Sequence, residues 1–421
     1  MYSSANRWME KGKMENRRVV ITGLGGICGA GNNVAEIVDF VEANKSAVKR
    51  MAGWENYTGM RSYVGAPAKL INEKNIPRQA RRSMGRMSIF AVQAAEEALQ
   101  NAGILKSDFH HGRGAVIIGS TMGGAESLNQ VFETMLPHHD LNKLTSMQFF
   151  QCVSHTAALN VAQYFGANGY VMATSAACAS GLQALGEGYN LIRSGDQDFA
   201  LCGGAEELHP TVTGSFDILY ATSAKYNDNP GITPRPFDRD RDGLVCGEGA
   251  GILLLESYER AIARNAKIYG EILGYHTCAS GLHISQSSKE SVARCMGEAL
   301  RKSGVAKEKI DYVNAHATAT LHGDIEEAQA IHDLLGAAVP VSSLKGYFGH
   351  TLGASGAIEL ILTLMMMQKS TIYPTRNLEN VDEQCAGISH VTQKTGKMLN
   401  TILKNCFAFG GINASMVIAG V

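Results

Sequence analysis

Residues 349–367 read Gly349-His-Thr-Leu-Gly-Ala-Ser-Gly-Ala-Ile-Glu-Leu-Ile-Leu-Thr-Leu-Met-Met-Met367, a stretch apolar on nearly every face of a helix. Such a helix has no side to offer to water, so it must be enclosed between other layers. A second stretch has a related character: Tyr170-Val-Met-Ala-Thr-Ser-Ala-Ala-Cys-Ala-Ser-Gly-Leu-Gln-Ala-Leu-Gly-Glu-Gly188. Here a β-prone run breaks at small residues and opens into a Gly- and Ala-rich helix able to pack closely on neighbours. The segments Gly114 to Gly124 and Ile310 to Gly323 form another related pair, each a strand followed by a small-residue loop. Elsewhere Arg18 to Thr22 and Gly114 to Gly119 read as strands, and Met84 to Leu99 has the spacing of a long helix. Alternating strands and helices predict a layered α/β protein. The paired segments predict two similar halves, residues 17–265 and 266–421, with an intimate interface and no Pro- or Ser-rich linker between them.

A chain of 421 residues with 45% apolar and 18% charged residues can bury a large core. Its formal charge of −1 gives no general attraction to nucleic acid or to an anionic membrane. Nine cysteines without a CxxC pair point to reduced thiols and a cytoplasmic setting. No apolar run reaches transmembrane length, and Ile361 to Met367 reads as core helix. Residues 1–16 are polar, lack a signal-like apolar region and read as an N-terminal extension, with Met14 an alternative start.

Cys178 falls at or near a helix N-terminus, where free N–H groups and the helix dipole favour a thiolate. A buried structural cysteine is the competing reading. Two histidines, His316 and His350, each follow a short apolar strand and sit among small residues, so three distant groups can converge on one pocket. Two other patterns are decoys. Thr22-Gly-Leu-Gly-Gly-Ile-Cys-Gly-Ala-Gly31 follows a strand like a dinucleotide loop, but Cys28 stands where the third glycine belongs. His316, His322, Asp324 and His332 cluster in sequence without a familiar zinc spacing, so no metal site is predicted.

The motif order resembles that of the β-ketoacyl-acyl-carrier-protein synthases of the elongating type, in the thiolase-like superfamily. The residues carrying the resemblance are Ala177-Cys178-Ala179-Ser180-Gly181, Pro234 to Gly243, Gly247 to Gly251, Asn314-Ala-His316, Lys345 to Glu359 and Asn405 to Asn413. It spans roughly residues 17–421 and implies two duplicated halves in five layers, αβαβα.

The resemblance also implies a chemistry: decarboxylative Claisen condensation of an acyl chain with a malonyl unit, both on acyl carrier protein, through an acyl-Cys178 thioester. His316 and His350 would donate hydrogen bonds to the malonyl thioester, each ring held by a neighbour through its other nitrogen. Lys345 would order the site with Glu359 as its partner, the latter counted among the substrate-binding residues. Backbone N–H groups of Cys178 and Phe409 would form the oxyanion hole, with the Phe409 ring as a gate. Thr318 and Thr320 would contact the pantetheine arm, and Met122 would line the end of the acyl tunnel. Arg78, Arg81 and Arg82, with Arg86 beside them, would dock the acidic carrier. No catalytic cofactor is implied beyond the carrier's phosphopantetheine.

A dimer is expected, homotypic or paired with a related ketosynthase or chain-length subunit. Ala317, Ala319 and Ala408 depart from the glycine, serine and glycine common in the fatty-acid enzymes, which leaves the acyl substrate open. The segments Arg50 to Met60 and Ser342 to His350 resemble aryl polyene synthases. A noncatalytic chain-length partner is the alternative of a different class, against which stand Cys178, His316 and His350. Cys406 lacks the Cys-x-Gly context a degradative thiolase requires, and His350 stands where an initiating synthase would carry asparagine.

Overall fold

The computed structural model describes residues 16–282 and 288–421. The predicted N-terminal extension, Met14 included, lies outside the described residues except for Asn16. The strands that matter are β1 (Val19–Cys28), β2 (Gly114–Gly119), β3 (Val171–Met172), β4 (Phe199–Glu206), β5 (Gly249–Ser257), β6 (Gly270–Ala279), β7 (Tyr312–Asn314), β8 (Pro340–Ser342), β9 (Ser389–His390), β10 (Thr401–Phe407) and β11 (Ile412–Ala419). The helices are α1 (Arg86–Ala102), α2 (Ala125–Met135), α3 (Ser146–Cys152), α4 (Thr156–Phe165), α5 (Ser180–Arg193), α6 (Lys289–Ser303), α7 (Leu321–Leu335) and α8 (Ser355–Lys369).

One half-sheet runs β3-β2-β4-β5-β1 and the other β8-β7-β10-β11-β6, with β9 added at the far edge. In each, the first three strands are parallel and the last two antiparallel, so order and direction repeat. Among the described residues, the half-sheets join only where β1 meets β6, at Val19–Ile272, Val20–Glu271 and Ile21–Gly270. Helices α1 and α4 cover the outer face of the first, and α6, with α7 packed against it, covers that of the second. Between the half-sheets lie α5 and α8, in contact with each other and with strands of both. This is the five-layer αβαβα arrangement, and the paired segments of the sequence are its repeats: β2 with β7, α5 with α8. Every residue of α8 from Ser355 to Leu364 is buried, as its apolar faces require.

One element differs from expectation. Strand β1 does not stop at Thr22 but continues through the glycine run to Cys28, wholly buried. The cause is the backbone of α1, which presses on it: a Cβ on Gly25 would lie 1.9 Å from the Ala94 carbonyl oxygen, and one on Gly23 2.3 Å from that of Ala98. The glycines mark a close strand–helix approach rather than a phosphate loop.

The two central helices meet the same way near their starts. A Cβ on Gly181 would lie 2.6 Å from the Gly353 oxygen, and one on Gly356 2.8 Å from the Leu182 nitrogen. Backbone rests on backbone there, which brings the loops before both helices together.

Candidate active site

Cys178 sits in a tight turn immediately before α5. Ala177 has φ 46°, and the Ser180 hydroxyl ties the turn by accepting from Ala176 N (2.8 Å) and donating to Ala177 O (2.6 Å). His316 lies two residues beyond β7. His350 was expected after a strand; it follows the short helix Lys345–Phe348 instead, and its backbone pairs with Cys246. The Cys178 sulfur and one ring nitrogen each of His316 and His350 lie within 4.8 Å of one another, all three residues buried. The two imidazoles stand edge to face, centroids 5.1 Å apart.

These groups line a cavity of about 450 Å³ together with Thr318, Thr320 and Phe409. The Thr318 and Thr320 hydroxyls are 3.1 Å apart, and the Phe409 ring leans on Phe216 at 5.7 Å. At the mouth stand Leu219, Tyr220 and Leu321, all exposed.

Electrostatics in the cavity correct one expectation. Burial pushes the Cys178 thiol up to about 12, against the opposing pull of Lys345. Desolvation outweighs the helix start, so the resting group is a thiol. Burial, then the positive charge of Lys345, holds both imidazoles well below 6.5, hence neutral. A second correction concerns how they are held. Among the described residues neither ring nitrogen of His350, nor Nδ1 of His316, has a hydrogen-bond partner. The rings are held by packing, and their nitrogens are left for other groups.

What positions them is a buried polar web. The Glu327 carboxylate accepts from the backbone N–H of His316 (2.8 Å) and Ala317 (2.7 Å), and from Asn405 Nδ2 (3.2 Å). Lys345 Nζ donates to the His316 carbonyl and pairs with Glu359 Oε1 at 2.7 Å, outside good hydrogen-bond alignment. Lys404 Nζ donates to Glu359 Oε2 at 2.6 Å and to Asn405 O at 2.8 Å. Glu206 accepts from Thr121 N (2.7 Å) and Gly353 N (3.0 Å), tying the loop after β2 to the loop after His350. The sequence reading missed Glu327, Lys404 and Glu206. A signal for Lys404 existed: a lysine inside the apolar strand run Ile402-Leu-Lys-Asn-Cys-Phe407 cannot reach water and needs a buried partner.

The remaining predicted residues lie elsewhere. Glu359 is fully buried between the two lysines, behind the cavity wall rather than at its surface. Met122 is 43% exposed and outside the cavity lining. Arg78 and Arg82 are exposed and without ion-pair partners among the described residues, whereas Arg81 donates to Ile76 O. Arg86 is committed to structure, donating twice to Glu248 and once to Ala68 O. The zinc-like cluster disperses: Asp324 accepts backbone N–H groups of Phe237 and Ala319, and His332 faces the Gly387 carbonyl.

A buried thiol from one duplicated half thus meets two neutral imidazoles from the other, within a fold of the thiolase-like class. Profiles for the N-terminal and C-terminal domains of β-ketoacyl synthase match residues 16–261 and 269–379. The chain is 36% identical over 405 residues to 3-oxoacyl-acyl-carrier-protein synthase 1 of Escherichia coli, covering 95% of this chain and 98% of the relative. The enzyme of the same name from Haemophilus influenzae is 34% identical over 403 residues, with the same coverage. Among solved structures, a β-ketoacyl synthase from Burkholderia phymatum superposes with a TM-score of 0.93 at 41% identity, over 96% of this chain and all of the other. The chain belongs to the β-ketoacyl synthase family. It is an enzyme of the acyltransferase class that elongates acyl chains by condensation.

Proposed function

We propose that Cys178, His316 and His350 carry out this condensation on chains delivered by acyl carrier protein, with Lys345 ordering the site. Cys178 attacks the acyl thioester; the new bond is Sγ to acyl carbon, and the carrier's pantetheine thiol leaves. The thiol proton passes to a neutral imidazole, for which the unpartnered nitrogens of His350 are suited. Backbone N–H groups of Cys178 and Phe409 stabilise the tetrahedral oxyanion. A malonyl-carrier then loses carbon dioxide, and its enolate attacks the acyl-cysteine carbonyl. Cys178 departs and the product is a β-ketoacyl carrier two carbons longer. His316 and His350 donate to the malonyl thioester oxygen as negative charge develops there, while Thr318 and Thr320 bind the pantetheine arm. The observation that carries this reading is the convergence of one polar atom from each of the three side chains within 4.8 Å in the cavity lining.

The carrier docks through Arg78 and Arg82, with Arg81 flanking them, and the enzyme works in the cytoplasm. No helix among the described residues is long and apolar enough to cross a membrane. The working unit is a dimer built on β3, an edge strand whose Val171 and Met172 are exposed; Met122, Phe132 and Phe149 are further large apolar side chains open to solvent that a partner would cover. A partner placed there covers Met122, which then lines the end of the acyl tunnel. Two similar structures support such assemblies: the ishigamide ketosynthase/chain length factor (29% identical, TM-score 0.89) and a type II PKS acyl-carrier protein in complex with its ketosynthase (31%, 0.89).

Intact-protein mass tests the reading. Wild type mixed with saturated, polyenoyl and aryl-polyenoyl carriers should gain an acyl mass from at least one, and discharge it on addition of malonyl-carrier. Cys178→Ala should gain none. Absence of acylation from every carrier would overturn the active-synthase reading in favour of a chain-length partner.

A further inference from the structure

Lys404 has no role in the chemistry above, yet it is a fully buried lysine three polar links away from His316, through Glu359 and Lys345. It lies in the middle of β10, with Ile402, Leu403 and Cys406 around it equally buried. A cation does not persist in such a strand without a compensating anion. Its anion is Glu359 from α8, and the same carboxylate serves Lys345. The two lysines are not equivalent. Among the described residues, the only aligned side-chain hydrogen bond to the Glu359 carboxylate comes from Lys404, at 2.6 Å. Lys345 meets the other oxygen as an ion pair and spends its hydrogen bond on the His316 carbonyl.

We infer that Lys404 is a positioning residue for condensation: it fixes the Glu359 carboxylate, which holds Lys345, which holds the His316 loop. This rests on the function proposed above. Lys404 touches no reacting atom and acts only through that relay. Its second hydrogen bond, to Asn405 O, anchors the residue whose amide reaches Glu327, the carboxylate gripping His316 N from the other side. The His316 loop is therefore clamped by two arms, and Lys404 belongs to both. Its charge has a further effect. Burial, Lys345 and His350 hold the His316 imidazole neutral, and Lys404 adds to that; it also adds to the effect of burial and Lys345 on His350.

The test is Lys404→Met, which keeps the length of the chain and removes the charge. With wild type established as acylated and condensing, the variant should still acylate Cys178 within about threefold. Condensation with malonyl-carrier should fall on the order of 100-fold, because sub-ångström misplacement of a donor at the reacting centre costs about that much. The acid limb of condensation should also move to higher pH, since a positive charge disfavouring imidazolium is gone. Among the described residues, the other titratable or charged groups packed about this site include Cys178, Cys246, Lys345, Glu327, Glu359 and Cys406, and the variant leaves all of them in place. Equal losses in acylation and condensation with an unmoved acid limb would mean that Lys404 supports only the fold and would overturn the inference. So would full condensation activity. If Lys404→Met does not fold, the double variant Lys404→Met/Glu359→Gln removes both charges together. It should acylate yet condense poorly; wild-type condensation by it would overturn the relay. Failure of wild type itself to acylate would count against the proposed function, not against Lys404.

Discussion

His316 and His350 are neutral because water is kept from them and Lys345 stands close by. An ordinary histidine loses activity as a neutral donor when pH falls through about 6.5. Here the folded value lies well below that, so condensation should keep its plateau through pH 6, measured as product formation with saturating malonyl-carrier. An acid limb at 6.5 or above would show that one imidazole is solvated. Stability runs the same way. Below 6.5 the unfolded chain takes up protons that these buried rings refuse, so their contribution is complete above that pH and is lost as pH falls. Cys178 and the two histidines were legible in the sequence because each sits in a small-residue motif of characteristic order. The state of the thiol was not: proximity to a helix start is visible in sequence, but the desolvation that opposes it depends on everything packed around the sulfur. Glu327 was missed because it carries no local motif and reaches His316 only through the fold of α7.

Strand β1 shows what element-level patterns can and cannot convey. Its apolar start predicts a strand, and its glycines then suggest a loop, because a glycine run is compatible with either. The α1 backbone decides between them, and that contact joins segments some 70 residues apart in sequence. The consequence is measurable: Gly25→Ala would drive a methyl group into the Ala94 carbonyl, at 1.9 Å. It should destabilise the protein by about 2–4 kcal/mol, read from the urea midpoint at unchanged slope. An unchanged midpoint would mean that α1 moves away freely. Helix α8 was the easier case. A sequence apolar all round has one physical solution, enclosure, and the structure supplies it.

At the scale of the molecule, duplication could be read from paired segments, while the strand order and the three-residue seam between half-sheets could not. Register depends on contacts remote in sequence. The exposed edge of β3 was equally invisible, and it supports the expected dimer. Val171→Lys should shift the sedimentation profile toward monomer, because a charge on each of two meeting edges repels its counterpart. An unshifted dimer would move the interface elsewhere. The contact between Gly181 and Gly353 bears on all of this. Where side chains separate two elements, their spacing drifts with rotamer changes and with every substitution. Here main chain abuts main chain, so the offset between the cysteine loop and the histidine loop is a fixed datum, machined by the peptide unit itself. Outer layers and the cavity mouth can vary to suit different acyl chains, while the distance over which carbon meets carbon keeps its tolerance.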